Sequence, residues 1–116
     1  MDISFKSKKL QKICSISKSA LKELGQAKGK KLMQRMSELR AAIALSDISR
    51  LPPARLHELK DNRKGQFSVD LEHPYRLLFI PNNKPIPEKE DGGIDKANIN
   101  KIKITGIVDT HGGKNG

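Results

Sequence analysis

The sequence predicts an α+β fold, with helices gathered in its first half and strands in its second. Three observations carry this expectation. Apolar residues recur at helical spacing between Lys8 and Leu45, Gln66 to Leu71 alternates with Phe67, Val69 and Leu71 inward, and Tyr75 to Ile80 is apolar at both parities apart from Arg76. A strand buried on both faces leaves little room for an unpartnered charge. Arg76 therefore either pairs with a carboxylate such as Asp70 or opens onto a cleft that binds an anion.

In chain order, DISFK at 2–6 is a short alternating strand with Ile3 and Phe5 on one face, and Ser7 stands where a helix N-cap belongs. From Lys8 to about Leu24, Leu10, Ile13, Cys14, Leu21 and Leu24 follow helical spacing, while serines at 15, 17 and 19 weaken the middle. This reads as one helix or two short pieces, closed by Gly25. A second helix is expected from about Ala27 to Leu45, because Leu32, Met36, Leu39 and Ile43 share a stripe while Lys31, Arg35, Glu38 and Arg40 fall largely outside it. Met33 and Met36 read as core filling.

Ser46 to Ala54 loses the periodicity, and Pro52-Pro53 forbids a continuing helix. Arg55 to Lys60 is the next expected strand, Asp61 to Gly65 a basic turn, and Glu72-His73-Pro74 a tight connection into the strand holding Arg76. Three successive strands make an antiparallel meander. Residues 81–101, with three prolines and a Gly-Gly pair, read as an exposed loop. The last strand is expected from Ile102 to Val108, with Ile102, Ile104 and Val108 on one face and Lys103, Thr105 and Ile107 on the other. Continuing that alternation puts Asp109 and His111 on the second face. Residues 112–116 are expected to be a flexible tail.

The 116 residues suit a single domain spanning 1–116, and 35% hydrophobic content with 3% aromatic residues supports one modest core. A formal charge of +10 points to a polyanionic partner such as nucleic acid. Residues 1–50 hold 12 basic and 4 acidic side chains, against 11 and 9 in residues 51–116. These lysines are either an RNA-docking face or a solvated helix surface. Cys14 has no cysteine partner and reads as a small core residue, which suits a reducing compartment. There is no apolar run near the roughly 18 residues of a membrane span, nor a signal-peptide core, so a soluble cytoplasmic protein is expected.

The polar residues able to do chemistry are His57, Lys60, Arg63, Lys64, Arg76, Asp109 and His111. No zinc-ligand spacing, glycine-rich phosphate loop or serine-triad signature appears, so neither a metal nor a cofactor is expected. Imidazoles among fixed cations suit RNA cleavage by the RNA's own 2′-hydroxyl. That reaction needs a base for the 2′-proton, cations for the phosphorane charge and an acid for the 5′-oxygen. Each residue also has a plainer reading. His57 is equally a hydrogen-bonded strand histidine, Lys60, Arg63 and Lys64 are turn charges, and Asp109 is a partner for a nearby lysine.

The segment LPPARLHELKDNRKGQFSVDLEHPYRLLFI at 51–80, with IVDTH at 107–111, resembles the HigB branch of the RelE toxin superfamily, the plasmid maintenance system killer proteins. The resemblance is carried by R-L-H-x-L-K, R-x-G-x-x-S, an aromatic-Arg-Leu step and a closing D-x-H. It implies a RelE-like microbial ribonuclease fold, with an N-terminal strand and two helices packed on a mainly antiparallel sheet whose concave face holds the site. It further implies the toxin of a type II toxin-antitoxin pair, an endoribonuclease (mRNA interferase) that enters the ribosomal A site and cuts mRNA. Its partner would be a helix-turn-helix, HigA-like antitoxin. By position, the family's functional residues fall on His57, Lys60, Arg76, Asp109 and His111. Lys60, Arg63, Lys64 and Arg76 would hold phosphate, His57 and His111 would move protons, and Asp109 would orient or assist. Thr110 stands where the family has a tyrosine, which removes a ring able to stack on a base. Two other classes fit the same broad pattern: a ParE-like gyrase inhibitor and a non-catalytic basic module that binds RNA or the ribosome.

Overall fold

The computed structural model describes residues 1–63 and 65–109, and three helices pack on one face of a five-stranded mixed sheet. The elements are β1 (Asp2–Phe5), α1 (Lys8–Ser15), α2 (Ser17–Leu24), α3 (Gln26–Ala41), β2 (His57–Glu58), β3 (Phe67–Asp70), β4 (Tyr75–Pro81) and β5 (Lys101–Asp109). The strand order is β1-β5-β4-β3-β2. β1 runs parallel to β5 and the other three pairings are antiparallel, so the α+β expectation and the β2-β3-β4 meander hold. Among the described residues no helix is long and apolar enough to cross a membrane.

The stretch from Lys8 to Leu24 is two helices, one of the two readings its sequence left open, so the described residues hold three α-helices where the resemblance implies two. Ser7 accepts the Leu10 amide at 3.1 Å and starts α1, while Ile16 adopts extended backbone (φ −117°, ψ 111°) and separates α1 from α2. Gly25, at φ 85°, closes α2 and lets the chain turn directly into α3. The α2–α3 contact is close because Gly29 lacks a side chain: a Cβ there would lie 2.9 Å from Leu21 Cδ2 and 3.1 Å from the Ala20 carbonyl carbon.

Helix α3 ends at Ala41, four residues short of the expected boundary. Asp47 accepts the amides of Ile43 at 3.0 Å and Ala44 at 3.1 Å, so a side chain replaces the helical carbonyls and turns the chain outward. Ile43 consequently leaves the apolar stripe and is 83% exposed, whereas Leu45 stays buried. A second correction concerns Arg35. The helical wheel places it outside the stripe, yet it is fully buried, donating Nε to the Asp70 carbonyl at 2.7 Å and Nη2 to the Pro53 carbonyl at 3.0 Å. Two backbone acceptors and a contact to Glu38 make that burial tolerable.

The strand expected over 55–60 shortens to His57–Glu58, because Arg55 (φ 49°) and Asp61 (φ 59°) both turn into the left-handed region. Phe67 and Phe79 face each other across β3 and β4 with ring centroids 6.0 Å apart. They join Leu32, Met36, Leu39, Val69, Leu77, Ile102 and Ile104 in one core, with Cys14 at its edge. Burial pushes the Cys14 thiol up to about 11, as suits a packing residue. Between β4 and β5, Glu88 bridges Ile94 and residues Lys96–Asn98 form a 3-10 turn, after which Ile99 is buried.

One irregularity decides which way the end of β5 faces. Leu78 pairs with Gly106 but Phe79 pairs with Ile104, so Thr105 is an extra residue and the alternation inverts beyond it. Ile107 therefore pairs with Leu77 and packs against the core, while Val108 pairs with Arg76 on the opposite, open face. This reverses the assignment expected from simple alternation.

Candidate functional site

The open face of the sheet carries two cross-strand rows. His57, Ser68, Leu78 and Gly106 form one, and Asp70, Arg76 and Val108 form the next. Arg55 joins the second row by a side-chain bridge, its Nε and Nη2 donating to the two Asp70 carboxylate oxygens at 2.7 and 3.0 Å. Nε of Arg76 lies 3.6 Å from Oδ1 of the same carboxylate. Both readings of Arg76 thus have a physical counterpart. It approaches Asp70, but the tight bidentate partner of Asp70 is Arg55, and Arg76 also lines a cleft of about 100 Å³ with Arg55, Asp70 and His73.

His57 is exposed on the short β2, and its pKa is lowered from the ordinary 6.5. Partial desolvation is the larger cause, followed by the positive charges of Arg76, Arg55, Lys60 and Arg50. The shift favours the neutral imidazole, whose lone pair can accept a proton. The same four cations would attract an anion forming there.

Of the residues expected from the sequence, Lys60 and Arg76 both act on His57 through their charge. Arg63 closes the 3-10 turn Asp61–Arg63 and donates Nη1 to Gln66 Oε1 at 3.4 Å, at the rim of a neighbouring hollow. Asp109 ends β5 opposite Tyr75, and Tyr75 packs against the core with Lys28 Nζ 3.8 Å from its ring centroid. By strand parity Asp109 lies on the helix side, away from Arg76. Lys64 and His111 lie outside the described residues.

Sequence reading missed Arg55 and Arg50. Arg55 had an available signal, since it is two residues before His57 and so shares its parity. Arg50 sits in the irregular segment before Pro52-Pro53, where no periodicity points its side chain anywhere.

No protein-family model matches the chain, and no curated protein matches it.

Proposed function

We propose that this chain is a RelE-like toxin of the HigB branch, an endoribonuclease that cuts ribosome-bound mRNA by 2′-hydroxyl attack. The observation that carries the reading is His57, paired with Ser68 in the row beside Arg76 and with its proton disfavoured by partial desolvation and by the charges of Arg76, Arg55, Lys60 and Arg50. In this mechanism His57 removes the 2′-proton, the 2′-oxygen bonds to phosphorus and the bond to the 5′-oxygen breaks. A 2′,3′-cyclic phosphate and a free 5′-hydroxyl result. Arg76 and Lys60 bind the non-bridging oxygens, whose charge grows in the phosphorane, so their contacts strengthen in the transition state. Arg55 supports Arg76 by occupying Asp70. The resemblance gives proton handling to His57 and His111 together, and with His57 as base the proton for the 5′-oxygen falls to His111. The α+β arrangement, with helices behind the sheet and the cations in front, supports the RelE-like reading of the fold. The partners proposed with it are the ribosome, its mRNA and a helix-turn-helix antitoxin.

Primer extension on a translated mRNA tests the proposal. Wild-type protein should produce cuts that depend on translation and persist in EDTA, and His57→Ala and Arg76→Ala should abolish them. RNA bound but left intact would favour the non-catalytic basic module, and inhibition of supercoiling without RNA cuts would favour the gyrase inhibitor.

A further inference from the structure

On the helix side of the sheet, a groove of about 520 Å³ lies between the end of α3 and the irregular segment that returns from it. The helix contributes Glu38, Ala41 and Ala42, and the returning chain contributes Ile43, Asp47 and the buried Ile48. We propose that this groove docks a cationic protein segment, one of whose aliphatic side chains seats against Ile43 while its lysines or arginines face Glu38 and Asp47. The proposal is independent of the nuclease reading, since no residue of the His57 and Arg76 rows lines the groove.

Exposure carries the apolar half of the argument. The two most exposed large aliphatic side chains among the described residues, Ile43 at 83% and Leu51 at 71%, both belong to the segment returning from α3. Asp47 fixes Ile43 in that position by accepting its amide, so the exposure comes from a specific contact. Covering such a pair removes apolar area from water and favours association.

The sign of the charge selects the partner. The chain carries +10 overall, yet the charged residues lining the groove are both acidic. The neighbouring cations are committed elsewhere. Arg35 is buried against the Asp70 and Pro53 carbonyls, Arg40 donates to Ser15 at 3.4 Å, and the Met1 ammonium donates to the Leu39 and Arg40 carbonyls at 3.3 and 3.0 Å and to that of Ala42. Asp47 uses Oδ2 for two amides and keeps Oδ1, while Glu38 has side-chain contacts no shorter than 3.4 Å, so both carboxylates keep room for a new cation. RNA and anionic lipid are repelled by this pair, and a two-fold contact between copies of the chain would set each pair against its own image. A cationic polypeptide matches both the charge and the apolar surface.

The probe is a pair of amphipathic peptides of about 15 residues, long enough to form a helix when bound. Both carry the same leucine face, with lysine at every polar position in one and glutamate in the other. A net charge of +10 by itself favours the glutamate peptide, so preference for the lysine peptide reports the groove. At low salt the lysine peptide should bind about tenfold more tightly and shift the NMR amide signals of Ile43, Ile48 and Ala54, leaving those of His57 and Arg76 in place. Ile43→Ser should weaken this binding about tenfold and keep the wild-type melting temperature, because the side chain is exposed. Glu38→Gln should flatten its dependence on salt. Tighter binding of the glutamate peptide, shifts outside the groove, or full binding to Ile43→Ser would overturn the proposal. So would a dimer of the chain that Ile43→Ser abolishes, which would make a second copy the occupant.

Discussion

Asp70 holds the Arg55 guanidinium at two points, 2.7 and 3.0 Å, while standing 3.6 Å from Nε of Arg76. The bidentate contact raises the Arg55 pKa, first through the hydrogen bond and then through the charge of Asp70. The Arg55 side chain is 41% exposed, so solvent screens the pair and its worth is modest. A double-mutant cycle on Arg55→Ala and Asp70→Ala should give a coupling of about 0.5–1 kcal/mol in urea denaturation. The cycle between Asp70 and Arg76 should give less. The reverse order would mean that Asp70 serves Arg76 and that Arg55 is incidental.

Arg35 ties α3 to the site strand through the Asp70 carbonyl. Arg35→Ala leaves the carbonyls of Asp70 and Pro53 without their donor and opens a void, so a loss of about 3 kcal/mol or more is expected. Arg35→Lys should recover only part of it, because a single ammonium does not reproduce the planar fork. Glu38→Gln should cost no more than about 0.5 kcal/mol, since Glu38 is partly exposed and lies 3.4 Å away. Equal losses for Glu38→Gln and Arg35→Ala would contradict the primary role of the two carbonyls.

His57 should titrate below 6.5 by NMR, and Arg76→Ala should move its midpoint upward, as should added salt. The sign of the stability effect follows from the lowered folded pKa. Well above pH 6.5 the imidazole is neutral in both states and contributes no slope. As pH falls below 6.5 the unfolded chain takes up the proton first, so stability declines until the folded midpoint is passed. His57→Gln should remove that part of the pH dependence. A midpoint at or above 6.5 would contradict the lowering by desolvation and by the surrounding cations.

Lys8, Lys9, Lys12 and Lys22 surround a hollow of about 310 Å³ on α1 and α2, and none of them has an ion-pair partner within 4.0 Å among the described residues. Changing all four to glutamine separates a docking face from a solvated surface. If they contact single-stranded RNA, the slope of log K against log salt should flatten by about 3. Melting should change little, because these side chains lie outside the core. An unchanged slope would assign them to solubility alone.

Much of the helical half was legible because its signals are local. The Ser7 cap, the glycine stop at Gly25 and the stripe Leu32, Met36 and Leu39 depend on neighbours a few residues away. Ile43 and Arg35 show where such reasoning ends. Ile43 continued the periodicity but left the core when Asp47 captured its amide, and Arg35 was drawn inward by carbonyls 18 and 35 residues distant. At the site, composition pointed to His57, Lys60 and Arg76 as possible groups, and family resemblance organised them. Arg55 had a signal in its spacing from His57, whereas the charge of Arg50 reaches His57 only through the fold.

The residue pattern alone was enough to define an α+β chain, a cationic first half, the inward face of β3, and a single arginine in an otherwise apolar strand; which face of β4 turns inward was not in it. These follow from propensity, alternation and charge, which a residue carries wherever the chain goes. The partner of that arginine and the side on which Asp109 falls depended on strand pairing. One extra residue at Thr105 inverts the facing of Ile107, Val108 and Asp109, and nothing in the alternation of Ile102 to Val108 marks that residue in advance.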